Sequence, residues 1–308
     1  RAGLFTGRYV FENACWDNGF AWDGRMRGWP HFFKDHGVLL TTIGKLDFAE
    51  GTDHGVECEI DPSHRGSRDI HSLFRENPAN PPRWSTYRQM GQSGPRSDLT
   101  EETFKDYGHS LRAQEWLRNE RPSDRPWILN VNFTQPHPGW PCPPELWEKW
   151  NARVKIEDLP AKCFESAEAL HPYHWRVAHG ETGLYATDEE VRRGHVAYMA
   201  HCELVDNNVR RVVETLEEIG ILGETLVIYA SDHGENLRAH GIWGKLNMYE
   251  DSIRIPFCMA GPGIRPGTTV GFPVSHLDVF PTICDAVGLE PPADFRGIPL
   301  LQIGRAHV

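Results

Sequence analysis

The sequence lacks several things that would narrow its function. Its seven cysteines are an odd number, and no two are spaced CxxC. A zinc knuckle or thioredoxin-like dithiol is therefore unsupported, a complete disulfide framework is disfavoured, and most of the thiols are expected to be small buried hydrophobes. No apolar run approaches the ~20 residues of a membrane span, and no charged-then-apolar leader opens the chain. Repeats and low-complexity linkers are missing too. Positive charge is scarce: 32 Lys and Arg against 43 Asp and Glu give a net charge of −11. That balance argues against general binding to nucleic acid or an anionic membrane. It leaves room for an anionic substrate, because a pocket needs only a few local cations or a metal.

What is present is an ordinary globular composition, 39% apolar and 24% charged, long enough for one large α/β domain or two small ones. Sixteen histidines direct attention to metal or acid–base chemistry. The chain opens on Arg1 rather than Met and reads as beginning inside a longer protein. Its last six residues, 303–308, read as an adapter-derived tail, leaving 1–302 as one domain.

Strands and helices alternate, the pattern of a mixed or parallel sheet covered by helices. Val38–Ile43 reads as a strand ending at Gly44-Lys45, and residues 100–119 as a helix capped by Thr100. Trp127–Phe133 reads as a strand with Trp127, Leu129, Val131 and Phe133 on one face; it ends at Pro136-His137-Pro138, where prolines stop ladder pairing. Residues 138–186 read as a long irregular surface excursion. A helix over 188–219 carries the stripe Met199, Cys202, Val205, Val209, Val212, Leu216 and Ile219, with Gly220 closing it. Strands at 225–230 and 255–260 and a helix near 278–287 follow.

Open α/β sheets bind ligands at the carboxyl ends of their strands. Three polar segments stand there: Gly44-Lys45-Leu46-Asp47, Pro136-His137-Pro138 and Asp232-His233-Gly234-Glu235. A fourth, Gly244-Lys245, lies just downstream. Singly, each reads as well as a turn, a cap or a solvated loop.

In order and spacing they resemble the sulfatase family of the alkaline-phosphatase-like superfamily. The likeness is carried by Leu226–Glu235, His240-Gly-Ile-Trp-Gly-Lys245, Met248-Tyr-Glu250, Arg254-Ile-Pro-Phe257, Gly261-Pro-Gly263 and Asp278-Val-Phe-Pro-Thr282. Arg1–Arg8 is similar to the stretch that begins at the Arg closing the family's C/S-x-P-S/A-R motif. Gly44-Lys-Leu-Asp-Phe48 is similar to the branch acting on 2-sulfated glucuronate, which has Asp where most relatives have His.

The resemblance implies a three-layer α/β sandwich, with a large mixed, mostly parallel sheet between helices and truncated at both ends. It implies a formylglycine nucleophile four places before Arg1, installed by a formylglycine-generating or maturase enzyme, and two further metal carboxylates also outside the chain. Asp232 and His233 would be half of a divalent metal site. Calcium is usual in the family, while an imidazole ligand suits manganese or zinc better. Arg1 and Lys45 would hold the nucleophile and the metal-side charge; His137 and Lys245 would grip sulfate and help protonate the leaving oxygen. Those residue types suit the reaction, because cations must face the charge spread over the sulfate and a leaving alkoxide needs a proton.

Asp47 would bind substrate, orient Lys45 or cap a turn. His240 would reach the substrate or face solvent. His195 and His201 are expected to face neighbours or water, and His36 and His54 are loop residues without a named partner. Asn132-Phe-Thr134 matches a glycosylation triplet but falls in a strand, so occupancy is not expected.

The implied activity is hydrolysis of a sulfate ester on a sulfated sugar or uronate, in an extracytoplasmic setting. With nucleophile and metal carboxylates outside it, the 308-residue chain is expected to turn over negligibly. The alternatives are a phosphate or phosphonate monoester hydrolase on the same scaffold, and a glycan-binding relative without catalysis.

Overall fold

The computed structural model describes residues 1–16, 20–63, 93–165, 171–172, 186–245 and 247–302. The 303–308 tail and part of the 138–186 excursion lie outside the described residues. In chain order the strands are β1 Leu39–Lys45, β2 Cys58–Ser63, β3 Gly94–Pro95, β4 Trp127–Asn132, β5 Pro141–Cys142, β6 Val227–Ala230 and β7 Phe257–Ala260. β2, β1 and β4 form a parallel sheet in that order, with Ile43 opposite both Ile60 and Val131. β3 pairs with β5 in parallel, and β6 pairs antiparallel with β7.

Alternation along the strands builds two helical layers on the sheet. Leu40 and Ile128 pack with Phe33, Phe280 and Cys284, from the helices Trp29–Asp35 and Val279–Val287. Their neighbours Leu39, Trp127 and Leu129 point the other way, toward Trp116, Leu117, Val212 and Leu216. The molecule is thus the expected three-layer α/β sandwich with a mixed, mostly parallel sheet.

The helix Asp188–Glu218 starts on a capping box: Thr187 Oγ1 accepts from the Glu190 amide at 3.3 Å, and Glu190 Oε2 accepts from the Thr187 amide at 2.7 Å. That pairing satisfies amides the helix cannot. Its buried face is rotated from the apolar stripe read in the sequence and includes His195, His201, Leu204 and Asn208. Part of the stripe (Val205, Val209, Val212 and Leu216) also borders a cavity of about 900 Å³, with Val205 and Leu216 themselves buried. The other walls are β4 and β6, which are not hydrogen-bonded to each other among the described residues. The strand residues Leu129, Val131, Val227 and Ile228 are consequently only half-buried.

Two sequence expectations need correction. The 100–119 helix is interrupted: a 3-10 turn at Glu101–Thr103 precedes an extended Phe104, and the α-helix itself runs Lys105–Glu115 before a π-turn at Trp116–Glu120. Thr100 makes no side-chain cap. The 138–186 excursion is not wholly irregular, because it contains the helix Pro144–Asn151. Proline is favourable in a first helical turn, where its missing N–H has no partner to lose; Pro143-Pro144 is therefore a start signal.

His195 and His201 are buried, hydrogen-bonded through Nε2 to the carbonyls of Leu237 and Pro141. His54 is buried as well, against the Trp22 carbonyl and the Thr52 hydroxyl, whereas exposed His36 bonds the Phe32 carbonyl. No disulfide joins the cysteines among the described residues, and three of them, Cys142, Cys163 and Cys284, are buried. Among the described residues no helix is long and apolar enough to cross a membrane.

Candidate active site

The carboxyl ends of β1, β4 and β6 meet at one end of the cavity, and each sequence segment has its own reason to turn there. Gly44 adopts φ +87, and a Cβ on it would stand 2.4 Å from the Asn132 carbonyl oxygen. Only a glycine lets β1 remain beside β4 at this point while delivering Lys45. Asp47 follows in a left-handed conformation, φ 55. Its carboxylate pairs with Arg1 and lies 3.9 Å from Lys45 Nζ. Arg1 also donates from Nη2 to Asp232 Oδ2 at 2.8 Å, so one guanidinium ties the β1 turn to the end of β6.

β6 ends in Ser231-Asp232-His233. His233 Nδ1 bonds the Gly234 carbonyl at 2.8 Å, leaving Nε2 as the lone pair that accepts from Lys245 Nζ at 2.5 Å. Lys245 comes from a loop closed on itself. The Glu235 carboxylate accepts from the Gly244 amide at 2.5 Å and the Leu237 amide at 3.2 Å, and the Asn236 amide donates to the Gly244 carbonyl at 2.8 Å. Desolvation pushes Glu235 up to about 7 despite these donors. From β4, His137 faces His233 edge to face at 6.0 Å.

The electrostatics follow from burying several charges together. Desolvation, then the nearby Arg1 charge, lowers Lys45 to about 8. Burial, followed by the Lys245 charge, lowers His137 to about 4, so it is neutral at pH 7. Its Nδ1 is committed to the Pro138 carbonyl at 2.8 Å, which leaves Nε2 as the nitrogen available to a ligand. Burial works against ionised Asp232, but His233 and Arg1 outweigh it and hold the carboxylate below its ordinary range. The result is a partly buried cluster of cations with two imidazoles, His137 and His233, suited to an oxyanion that brings its own negative charge.

Asp232 Oδ1 and His233 Nε2 lie 3.5 Å apart and present two donors to a metal. Calcium takes about six to eight oxygens, and among the described residues no group of three or more His, Cys, Asp or Glu could hold an ion. Arg1 and Lys245 engage the two donors instead. The described residues therefore do not complete a metal site, and no chemical step is assigned to one.

The sulfatase family model matches residues 4–289. The chain belongs to the sulfatase family. It is 27% identical to arylsulfatase K of Bos taurus over 98% of its own length and 55% of that protein's. The chain therefore spans about half the length of this curated relative. Its fold is similar to the phosphonate monoester hydrolase of Agrobacterium radiobacter, at a TM-score of 0.73 and 22% identity, covering 98% of this chain and 66% of that one. It is also similar to a protein solved with its substrate D-glucosamine-2-N,6-O-disulfate, at a TM-score of 0.71 and 20% identity, covering 98% and 69%.

In this sulfatase-family chain, Arg1, Lys45, Asp47, His137, Asp232, His233 and Lys245 are drawn into one network. His240 is not part of it: its Nδ1 bonds Glu165 Oε2 at 2.7 Å, and its ring stacks on Tyr249 at 4.3 Å. Sequence reasoning passed over His276, which lines the same cavity and bonds the Ser231 carbonyl through Nε2 at 2.7 Å. A histidine two residues before the buried helix-starting Asp278 was the available signal.

Proposed function

We propose that the chain carries the sulfate-gripping part of a sulfatase active site, and that the whole protein hydrolyses sulfate esters on a sulfated sugar or uronate. The observation that supports this reading best is the convergence of Lys45, His137 and the loop residue Lys245 beside Asp232 and His233, where three strands end. A bound sulfate would raise the proton affinity of His137, so that its Nε2 can donate alongside Lys245. Lys45, already lowered to about 8, is the other proton source near neutrality. Asp232 and His233 would contribute to a divalent metal site, calcium first, with manganese or zinc fitting the imidazole. Formylglycine, installed by a maturation enzyme, would supply the nucleophile. Asp47, paired with Arg1, would orient the cations, and His240 with Tyr249 would reach only the outer part of a larger substrate. The substrate class and family fit an extracytoplasmic protein.

The likeness to arylsulfatase K and the Gly44–Phe48 string favour 2-sulfated glucuronate as the first substrate to test. The test is an assay of the full reading frame on that compound and on a phosphate monoester, with Asp232→Ala and Lys245→Ala alongside. Sulfate release lost in both variants is the expected result. Phosphate release without sulfate release would overturn the reading in favour of a phosphate or phosphonate monoester hydrolase, which the fold likeness to the Agrobacterium enzyme also suits.

A further inference from the structure

The helix Lys105–Glu115 lies behind the strand ends and turns two buried polar side chains toward them, Asp106 at 2% and His109 at 6% exposure. β4 stops at Asn132, so among the described residues the next amides have no ladder partner. Asp106 Oδ2 accepts from two of them, Thr134 and Gln135, each at 2.8 Å. The Thr134 carbonyl in turn accepts from the His137 amide at 3.0 Å. A buried carboxylate is costly unless charge-assisted hydrogen bonds satisfy it, and here they fix the turn from which the His137 imidazole projects. On the same helix, the Asp106 Oδ1 and His109 Nδ1 atoms stand 3.6 Å apart. His109 Nδ1 also fills the space a Gly44 side chain would need, 2.9 Å from its Cβ position. One helical turn therefore braces both the His137 loop and the Gly44-Lys45 turn.

We propose that Asp106 is the positioning residue for His137, acting through the Thr134 and Gln135 amides without touching substrate. Its consequence for sulfate rests on the sulfatase reading; the positional claim does not.

The test compares Asp106→Ala with Asp106→Asn, which keeps an acceptor oxygen, in the 308-residue chain. In Asp106→Ala, hydrogen exchange at Thr134 and Gln135 should quicken by about tenfold or more, and the His137 ring resonances should move while those of His54 stay put. Asp106→Asn should restore most of both. Unchanged exchange and an unmoved His137 ring in Asp106→Ala would overturn the proposal. So would equal loosening across the whole chain in both variants, which would mark a merely structural residue. Inorganic sulfate binding, followed by titration calorimetry, should weaken about tenfold in Asp106→Ala, with no further loss when the change is made on His137→Ala. Equal weakening in both backgrounds would also overturn it. If the unaltered chain binds no sulfate, the sulfatase reading of the pocket fails, while the exchange and ring measurements still decide the role of Asp106.

Discussion

β1 and β6 are similar in sequence character and different in situation. Both are short apolar runs that deliver charged residues to the same site. β1 is paired on both edges, and its Leu40 and Ile43 are essentially inaccessible, at 1% and 0% exposure. Among the described residues β6 is paired only with β7, and its other edge faces the cavity shared with β4, so Val227 and Ile228 stay half-exposed. Apolar, β-branched sequence made both segments strands; the neighbours decided which of them is core. The site straddles this contrast, with Lys45 on the finished side and Asp232 on the unfinished one.

The sharpest break of the comparison is to truncate one side chain on each strand. Ile43→Ala should cost about 3 kcal/mol, through lost burial and the cavity left behind. Ile228→Ala, on the open wall, should cost about 1 kcal/mol or less. Urea unfolding of the two variants checks this, and equal losses would mean that the cavity closes in solution.

The same sheet offers a second contrast at its glycines. Gly44→Ala combines φ +87 with a backbone oxygen 2.4 Å from the new carbon and should destabilise by about 2 kcal/mol or more. Gly288→Ala has φ +71 but, among the described residues, nothing within 4 Å, so only the conformational term of about 1 kcal/mol applies. A shift in melting temperature at least twice as large for Gly44→Ala is expected.

Those positions show what was legible. Gly44-Lys45 could be read because a strand pattern ran straight into it, and Asp232-His233 likewise; the family resemblance then joined them. Asp106 could not be read, because its partners lie 28 and 29 residues away and no local periodicity records such a contact. The rotated face of Asp188–Glu218 was missed for a related reason. Much of the apolar stripe borders the cavity, while buried His195 and His201 find carbonyl partners that only the tertiary structure supplies. The helix at Pro144 was missed by treating proline only as a breaker.

Buried histidine gives the next effect in size. Burial lowers His201 to about 4, so between pH 6.5 and 4 the unfolded chain holds a proton that the folded chain does not. Its contribution is fully present above pH 6.5 and is lost as pH falls toward 4, at a rate of at most about 1.4 kcal/mol per pH unit. His201→Gln should flatten the dependence of stability on pH across that window, measured by urea unfolding at pH 4.5, 5.5 and 7. A slope unchanged by the substitution would assign the acid sensitivity to other groups.

The smallest effect on stability tests the open wall directly. Half-exposed apolar strands beside a cavity of about 900 Å³ present surface that associates and takes up apolar dyes, and an unpaired strand edge invites pairing with another chain. The unaltered chain should therefore associate at micromolar concentration and bind an anilinonaphthalene dye. Ile228→Lys places a charge on that wall and should change folding stability by no more than about 1 kcal/mol, yet reduce dye binding and shift sedimentation toward the monomer. If the substitution unfolds the chain, Ile228 is core after all and β6 is no different from β1. If it leaves both dye binding and association unchanged, the adhesive surface lies elsewhere, and the half-exposure of β6 has no consequence in solution.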